Sequence, residues 1–103
     1  MNSYQDWKIG EELTNFNSDR VFHVGDVVQH FKRETLGEKD DKRSYLYQIV
    51  GTVLNTTNNL MPMILYKSLI NGSLYVRDFQ EFFSKVDKKK YPDIKQEYRF
   101  EVV

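Results

Sequence analysis

The sequence predicts a mostly β fold, built as one small antiparallel barrel of about five strands. Two observations carry that prediction. Short runs rich in Val, Ile, Tyr and Phe recur along the chain, and the segments between them are polar or Gly-containing turns. A third bounds it: 103 residues, 40% apolar and 15% aromatic, can bury one core and are too few for two.

The elements follow in order. The first twenty residues, "MNSYQDWKIGEELTNFNSDR", hold isolated apolar side chains without a sustained period. Trp7, Leu13 and Phe16 can line one side of a short helix, so residues 1–20 read as an N-terminal appendage and residues 21–103 as the barrel domain. "GDVVQHFKR" (25–33) is β-branched and then alternating, the first barrel strand. The charged stretch "ETLGEKDDKRS" after it is a solvated loop. "YLYQIVGTVLN" (45–55) is the strongest strand; Gly51 within it marks a bend or bulge. "TTNN" turns the chain into "MPMILYKSL" (61–69), and Asn71-Gly72 makes a tight hairpin into "SLYVRDF" (73–79). Phe82, Phe83 and Val86 stand at helical spacing and give one or two helical turns, and "EYRFEVV" (97–103) is the last strand. Five strands joined by short turns, with a helical turn before the last, fit an SH3-like barrel first. An OB-type barrel is second, because it inserts a longer helix between its third and fourth strands.

Composition sets the function classes. Fifteen basic and fifteen acidic side chains cancel, so the overall positive field that drives non-specific nucleic-acid binding is missing. With no cysteine there is no disulfide, thiol nucleophile or thiolate metal site. No apolar run approaches the roughly 20 residues of a membrane span, and the polar, acidic start is unlike a signal peptide. The expectation is a cytoplasmic protein. Metal-ligand spacings, Gly-rich phosphate loops and nucleophile elbows are missing, so no metal or cofactor is expected. Asp26, Asp78 and Glu81 are the carboxylates that could pair for hydrolysis, but nothing in their spacing selects them.

The candidate site comes from strand periodicity. His30 and Lys32 are two apart on one strand and share a face, as do Tyr75 and Arg77 on another. If those faces meet, three basic side chains converge with tyrosine walls from Tyr66 and Tyr75. That arrangement suits phosphate or carboxylate joined to a planar ring. The competing reading makes them outward polar residues, with Arg77 held by Asp78 or Glu81. The aromatic set Tyr45, Tyr47, Tyr66, Phe79, Phe82, Phe83 and Phe100 belongs mainly to the core, the tyrosines being the exceptions that a groove would use.

The segments "HFK" (30–32), "YLYQIVGTV" (45–53), "ILYKSL" (64–69), "LYVRDFQEFF" (74–83) and "YRF" (98–100) together resemble a small bacterial and phage family, domain of unknown function number sixteen fifty-three. Its pattern runs His-aromatic-Lys, a Tyr-rich strand, a Val-Tyr strand, Trp-Val-Arg-Pro with a Phe shortly after, and Arg-Phe. By position, His30, Lys32, Tyr47, Tyr66, Arg77, Phe82, Arg99 and Phe100 match it over about residues 24–103. Tyr75 stands where Trp is usual, Asp78 where Pro is usual, Asn55 where a His is often seen, and Arg33 in place of a Gly. The resemblance implies an SH3-like fold and a candidate site, and no activity.

The expected function is a non-catalytic binding module for an anionic, nucleotide-like small ligand. His30, Lys32 and Arg77 would touch the charged groups, and Tyr66 and Tyr75 would form the walls. Size and the resembling family's phage distribution suggest a mobile-element protein that sequesters a host signal. The alternatives are a nucleic-acid-binding barrel that adds Lys88, Lys89 and Lys90, and a protein-interaction or self-associating module that uses an open strand edge.

Overall fold

Residues 8–103 are described by the structure, a computed structural model; Trp7 lies outside them. The chain enters through two short antiparallel strands, β1 (Glu12–Thr14) and β2 (Val21–His23), with Leu13 opposite Phe22. Leu13 is buried, whereas Phe16 is 95% exposed. The short helix expected on Leu13 and Phe16 is therefore not formed: β1 turns Leu13 onto Phe22, and the pairing uses the backbone groups a helix would need.

The larger sheet holds β3 (Val27–His30), β4 (Leu46–Asn55), β5 (Met61–Ser68), β6 (Leu74–Asp78) and β7 (Phe100–Val102). Every pairing is antiparallel and the order is β6-β5-β4-β3-β7. These are the five strands expected, in a sheet whose last strand returns beside the first. Gly51 does sit at a bulge: the β4–β5 register shifts between Ile49 and Gly51. That shift lets a ten-residue strand bend around the core. The β5–β6 hairpin is wider than two residues. Ser68 N–H donates to Ser73 carbonyl (2.9 Å), and Gly72 takes φ +74° where L side chains are strained.

Between β6 and β7 lies a single helical turn, α1 (Phe79–Phe82). Asp78 starts it, its carboxylate accepting the N–H of Glu81 at 2.7 Å. A side-chain cap of this kind satisfies one of the donors that a helix start leaves open. The turn drives Phe82 and Phe83 into the core, where Phe82 stacks on Phe100 (centroids 4.2 Å apart, 8° between planes) and meets Phe22 edge-on. Asp78→Ala is expected to cost about 1 kcal/mol, read by urea denaturation, with Asp78→Ser restoring most of it. An unchanged midpoint would show that the cap contributes nothing.

Val28, Ile49, Ile64, Tyr66 and Phe100 from the sheet and Phe82 from α1 pack together as one core. Arg20 ties the β1–β2 hairpin to it. One of its guanidinium nitrogens, Nη2, donates to Phe100 carbonyl (2.6 Å), and Cζ lies 3.8 Å from the Tyr98 ring centroid. Among the described residues no helix is long and apolar enough to cross a membrane.

Candidate functional site

Alternation along the strands decides what faces inward. Val28 and His30 do so from β3, Tyr47 and Ile49 from β4, Ile64 and Tyr66 from β5, and Phe100 from β7. The register sets His30 opposite Phe100, Tyr66 opposite Tyr75, and Ile64 opposite Arg77. β6 and β7 are the two edges of the sheet and have no ladder between them. Curling of the sheet brings their side chains together instead, with Arg77 Cζ 5.7 Å from the Phe100 centroid and Tyr66 edge-on to Phe100 at 5.5 Å. At this seam a cavity of about 190 Å³ is lined by His30, Lys32, Tyr45, Tyr47, Tyr66, Arg77 and Phe100. Four of the five residues expected at the site thus meet in one place.

His30 is the last residue of β3 and is buried, at 8% exposure. Its Nδ1 accepts the backbone N–H of Lys32 (3.1 Å), which caps a 3₁₀ turn over Phe31–Thr35. Burial holds its pKa down to about 4, helped by the positive charges of Arg77, Arg99 and Lys32. The ring is therefore neutral near pH 7. With Nδ1 accepting, the proton resides on Nε2. Among the described residues Arg20 Nη1 is the only buried side-chain nitrogen or oxygen without a partner. Nε2 of His30, which donates to no described residue, therefore keeps solvent access.

Lys32 reaches the cavity by a different route from the one expected. The strand stops at His30 and Lys32 stands on the 3₁₀ turn; the tight turn, and not a shared strand face, brings it beside His30. Arg77 is held on two sides. Its Nε donates to the Tyr66 hydroxyl (3.3 Å), and Nη1 lies 3.6 Å from Glu81 Oε1. The Glu81 contact is the acid partner that the competing reading foresaw, but it is long and its carboxylate is half exposed. Pairs of this kind stabilise by well under 1 kcal/mol and yield readily to a better anion. Tyr66, expected as an apolar wall, offers a hydroxyl whose oxygen is taken by Arg77 and whose proton is free to donate.

Tyr75 lies outside this cavity. It packs against Tyr66 (5.9 Å) and Tyr47 (6.1 Å) and lines a neighbouring cleft of about 490 Å³ with Tyr45, Tyr47, Ser68 and Asn71. Periodicity placed Tyr75 on the correct face but could not say which side of Tyr47 it would occupy. Tyr45, Tyr47 and Phe100 are site residues that spacing had assigned mainly to the core. The Tyr47 hydroxyl has its pKa raised, by burial first and then by Tyr66, Tyr75 and Tyr45 around it. Tyr45 takes φ +64° while its carbonyl accepts the His30 N–H at 2.9 Å. A left-handed tyrosine costs on the order of 1 kcal/mol, and no sequence signal announces it.

The carboxylates are committed locally. Asp26 accepts the N–H of His23, Asp78 caps α1, and Glu81 lies beside Arg77. Among the described residues no three His, Asp or Glu side chains gather where one ion could be held. Lys88 of the basic run donates to the carbonyls of Ile94 and Gln96 and fastens its own loop.

No curated protein and no solved structure is significantly similar to the chain. Residues 26–102 match the family described as "Protein of unknown function (DUF1653)". The match takes in the whole five-stranded sheet, α1 and every residue lining the seam cavity. The chain is a member of that family, and the seam between β6 and β7 belongs to the shared domain.

Proposed function

We propose that the protein is a non-catalytic binding module for an anionic, nucleotide-like small ligand, received at the seam between β6 and β7. One observation carries the reading: His30 and Lys32, Tyr66, and Arg77, from three separate stretches of the chain, line a single cavity. Two cations, a neutral imidazole with a free N–H and a phenol hydroxyl make a set of donors with few acceptors, and such a set is suited to phosphate or carboxylate oxygens. The charges around His30 support it: burial is the main reason its pKa is low, but Arg77, Arg99 and Lys32 add a positive field at the same place, and that field favours an anion. No nucleophile and base are paired in the cavity, so binding fits better than turnover.

Thermal-shift screening of nucleotides tests the reading. A stabilising nucleotide is expected, and Arg77→Ala should weaken it by about 2 kcal/mol, the size of a charge-assisted hydrogen bond. No stabilisation by any nucleotide, or equal stabilisation of the variant, would count against it.

A second reading, self-association, is favoured by the outer edge of β6. Leu74, Tyr75 and Val76 are exposed there in succession, on a strand that among the described residues forms the edge of the sheet. Size-exclusion chromatography with light scattering decides between one copy and two.

A further inference from the structure

The seam cavity and the tyrosine cleft are neighbours with a shared wall. Tyr45 and Tyr47 line both. The seam cavity, at about 190 Å³, is smaller than the roughly 300 Å³ at which sites for whole small molecules begin. The cleft, at about 490 Å³, lies within that range. The seam cavity is backed by Phe100 and Tyr66, both buried in the core, so its room is for one small group at the surface.

The two spaces differ in chemistry. Cationic and N–H donors belong to the seam cavity, through His30, Lys32 and Arg77. The cleft has no Lys, Arg or His in its lining; its Tyr45, Tyr47 and Tyr75 rings are accompanied by small polar side chains and Asp40. Those polar groups keep capacity in hand. Asn71 Oδ1 is used by the Ser73 N–H, which leaves the amide donors, and Ser68 Oγ accepts from the Ile70 N–H, which leaves its own proton to donate. Tyrosine faces beside neutral donors and acceptors suit a planar heterocycle with a sugar.

Building on the anion-binding reading above, we infer that the ligand is a nucleotide with a terminal phosphomonoester. Its phosphate ends in the seam cavity on Arg77, Lys32 and His30, and its base lies in the cleft against Tyr75 and Tyr47. A terminal phosphomonoester, with up to two negative charges and three free oxygens, meets the donors of Arg77, Lys32 and His30 better than the singly charged phosphodiester inside a strand. A free nucleoside monophosphate and the 5′-phosphorylated end of an oligonucleotide present the same chemistry.

Calorimetric titration of the full chain tests this with five probes: inorganic phosphate, a nucleoside, its 5′-monophosphate, and an oligonucleotide with and without a 5′-phosphate. The monophosphate is expected to bind at least about tenfold more tightly than phosphate or nucleoside alone, the size of one base–aromatic stack. Tyr75→Ala should remove that tenfold and leave the affinity for inorganic phosphate unchanged, whereas Arg77→Ala should weaken both. A 5′-phosphorylated oligonucleotide that outcompetes the monophosphate would assign the ligand to strand ends, and the reverse order would assign it to free nucleotides. Equal affinities for phosphate and monophosphate, or indifference to Tyr75→Ala, would overturn the two-part site and leave the anion site standing. Binding of no phosphorylated probe would overturn both readings. Circular dichroism of each variant separates loss of binding from loss of fold.

Discussion

Phe82→Ala is expected to destabilise the domain by about 3–5 kcal/mol, the usual range for removing a fully buried phenylalanine. Phe82 has no solvent exposure, stacks on Phe100 at 4.2 Å, and meets Phe22 and Tyr66 edge-on at 5.2 and 5.4 Å. Truncation leaves a void at the point where the β1–β2 hairpin, α1 and both edges of the larger sheet converge, and none of these can close on it without moving the others. Small domains hold only about 5–15 kcal/mol in total. The variant should therefore unfold at a much lower urea concentration, with a melting temperature lower by 10 °C or more at about 4 °C per kcal/mol. A loss below about 1 kcal/mol would mean that the aromatic cluster is not the core. Because Phe82 stacks on Phe100, which lines the seam cavity, the same variant should also weaken binding of the anion proposed for that cavity when measured well below its melting temperature.

His30 predicts how stability depends on pH. In the unfolded chain a histidine takes up its proton near pH 6.5, whereas the folded ring does so only near pH 4, chiefly because it is buried. Between those values the unfolded state binds more protons, so stability falls as the pH is lowered from about 6.5 to 4 and His30 adds no further slope below that. The displacement amounts to about 3 kcal/mol. Glu34, whose carboxylate accepts the N–H groups of Lys95 and Gln96 and whose pKa is lowered mainly for that reason, also loses stability in acid. His30→Gln keeps that contribution and removes the imidazole. The difference between the two stability profiles therefore isolates His30. It should change by about 3 kcal/mol across the window; parallel profiles would show that the ring is not buried in its neutral form.

The five strands of the larger sheet were legible because each carries its own signal. "YLYQIVGTVLN" and "ILYKSL" are β-branched and aromatic, and Asn71-Gly72 bends the chain between two such runs. Gly51 revealed the bulge because a residue without a side chain in a strong strand has few other uses. Asp78, a departure from the resembling family's proline, gains its explanation only from the structure: it caps α1. The N-terminal segment was misjudged since Leu13 and Phe16 allow a helical face as easily as a strand, and only contact with Phe22 decides between them. Lys32 came to the site through a 3₁₀ turn that period-two reasoning does not contain.

What the sequence by itself determined is the five strands of the larger sheet and their approximate ends; the short strands β1 and β2 escaped it. These depend on local propensity and on which residues must leave water. It also singled out Arg77 and His30, by periodicity and resemblance together. Only the tertiary structure decided that β6 and β7 would face each other without a ladder, and that the space between them would collect His30, Lys32, Tyr66 and Arg77. The reason is physical. Curl and twist accumulate over the whole sheet, and contacts between residues far apart in the chain, such as Arg77 over the Phe100 ring, are ones that no local stretch of sequence encodes.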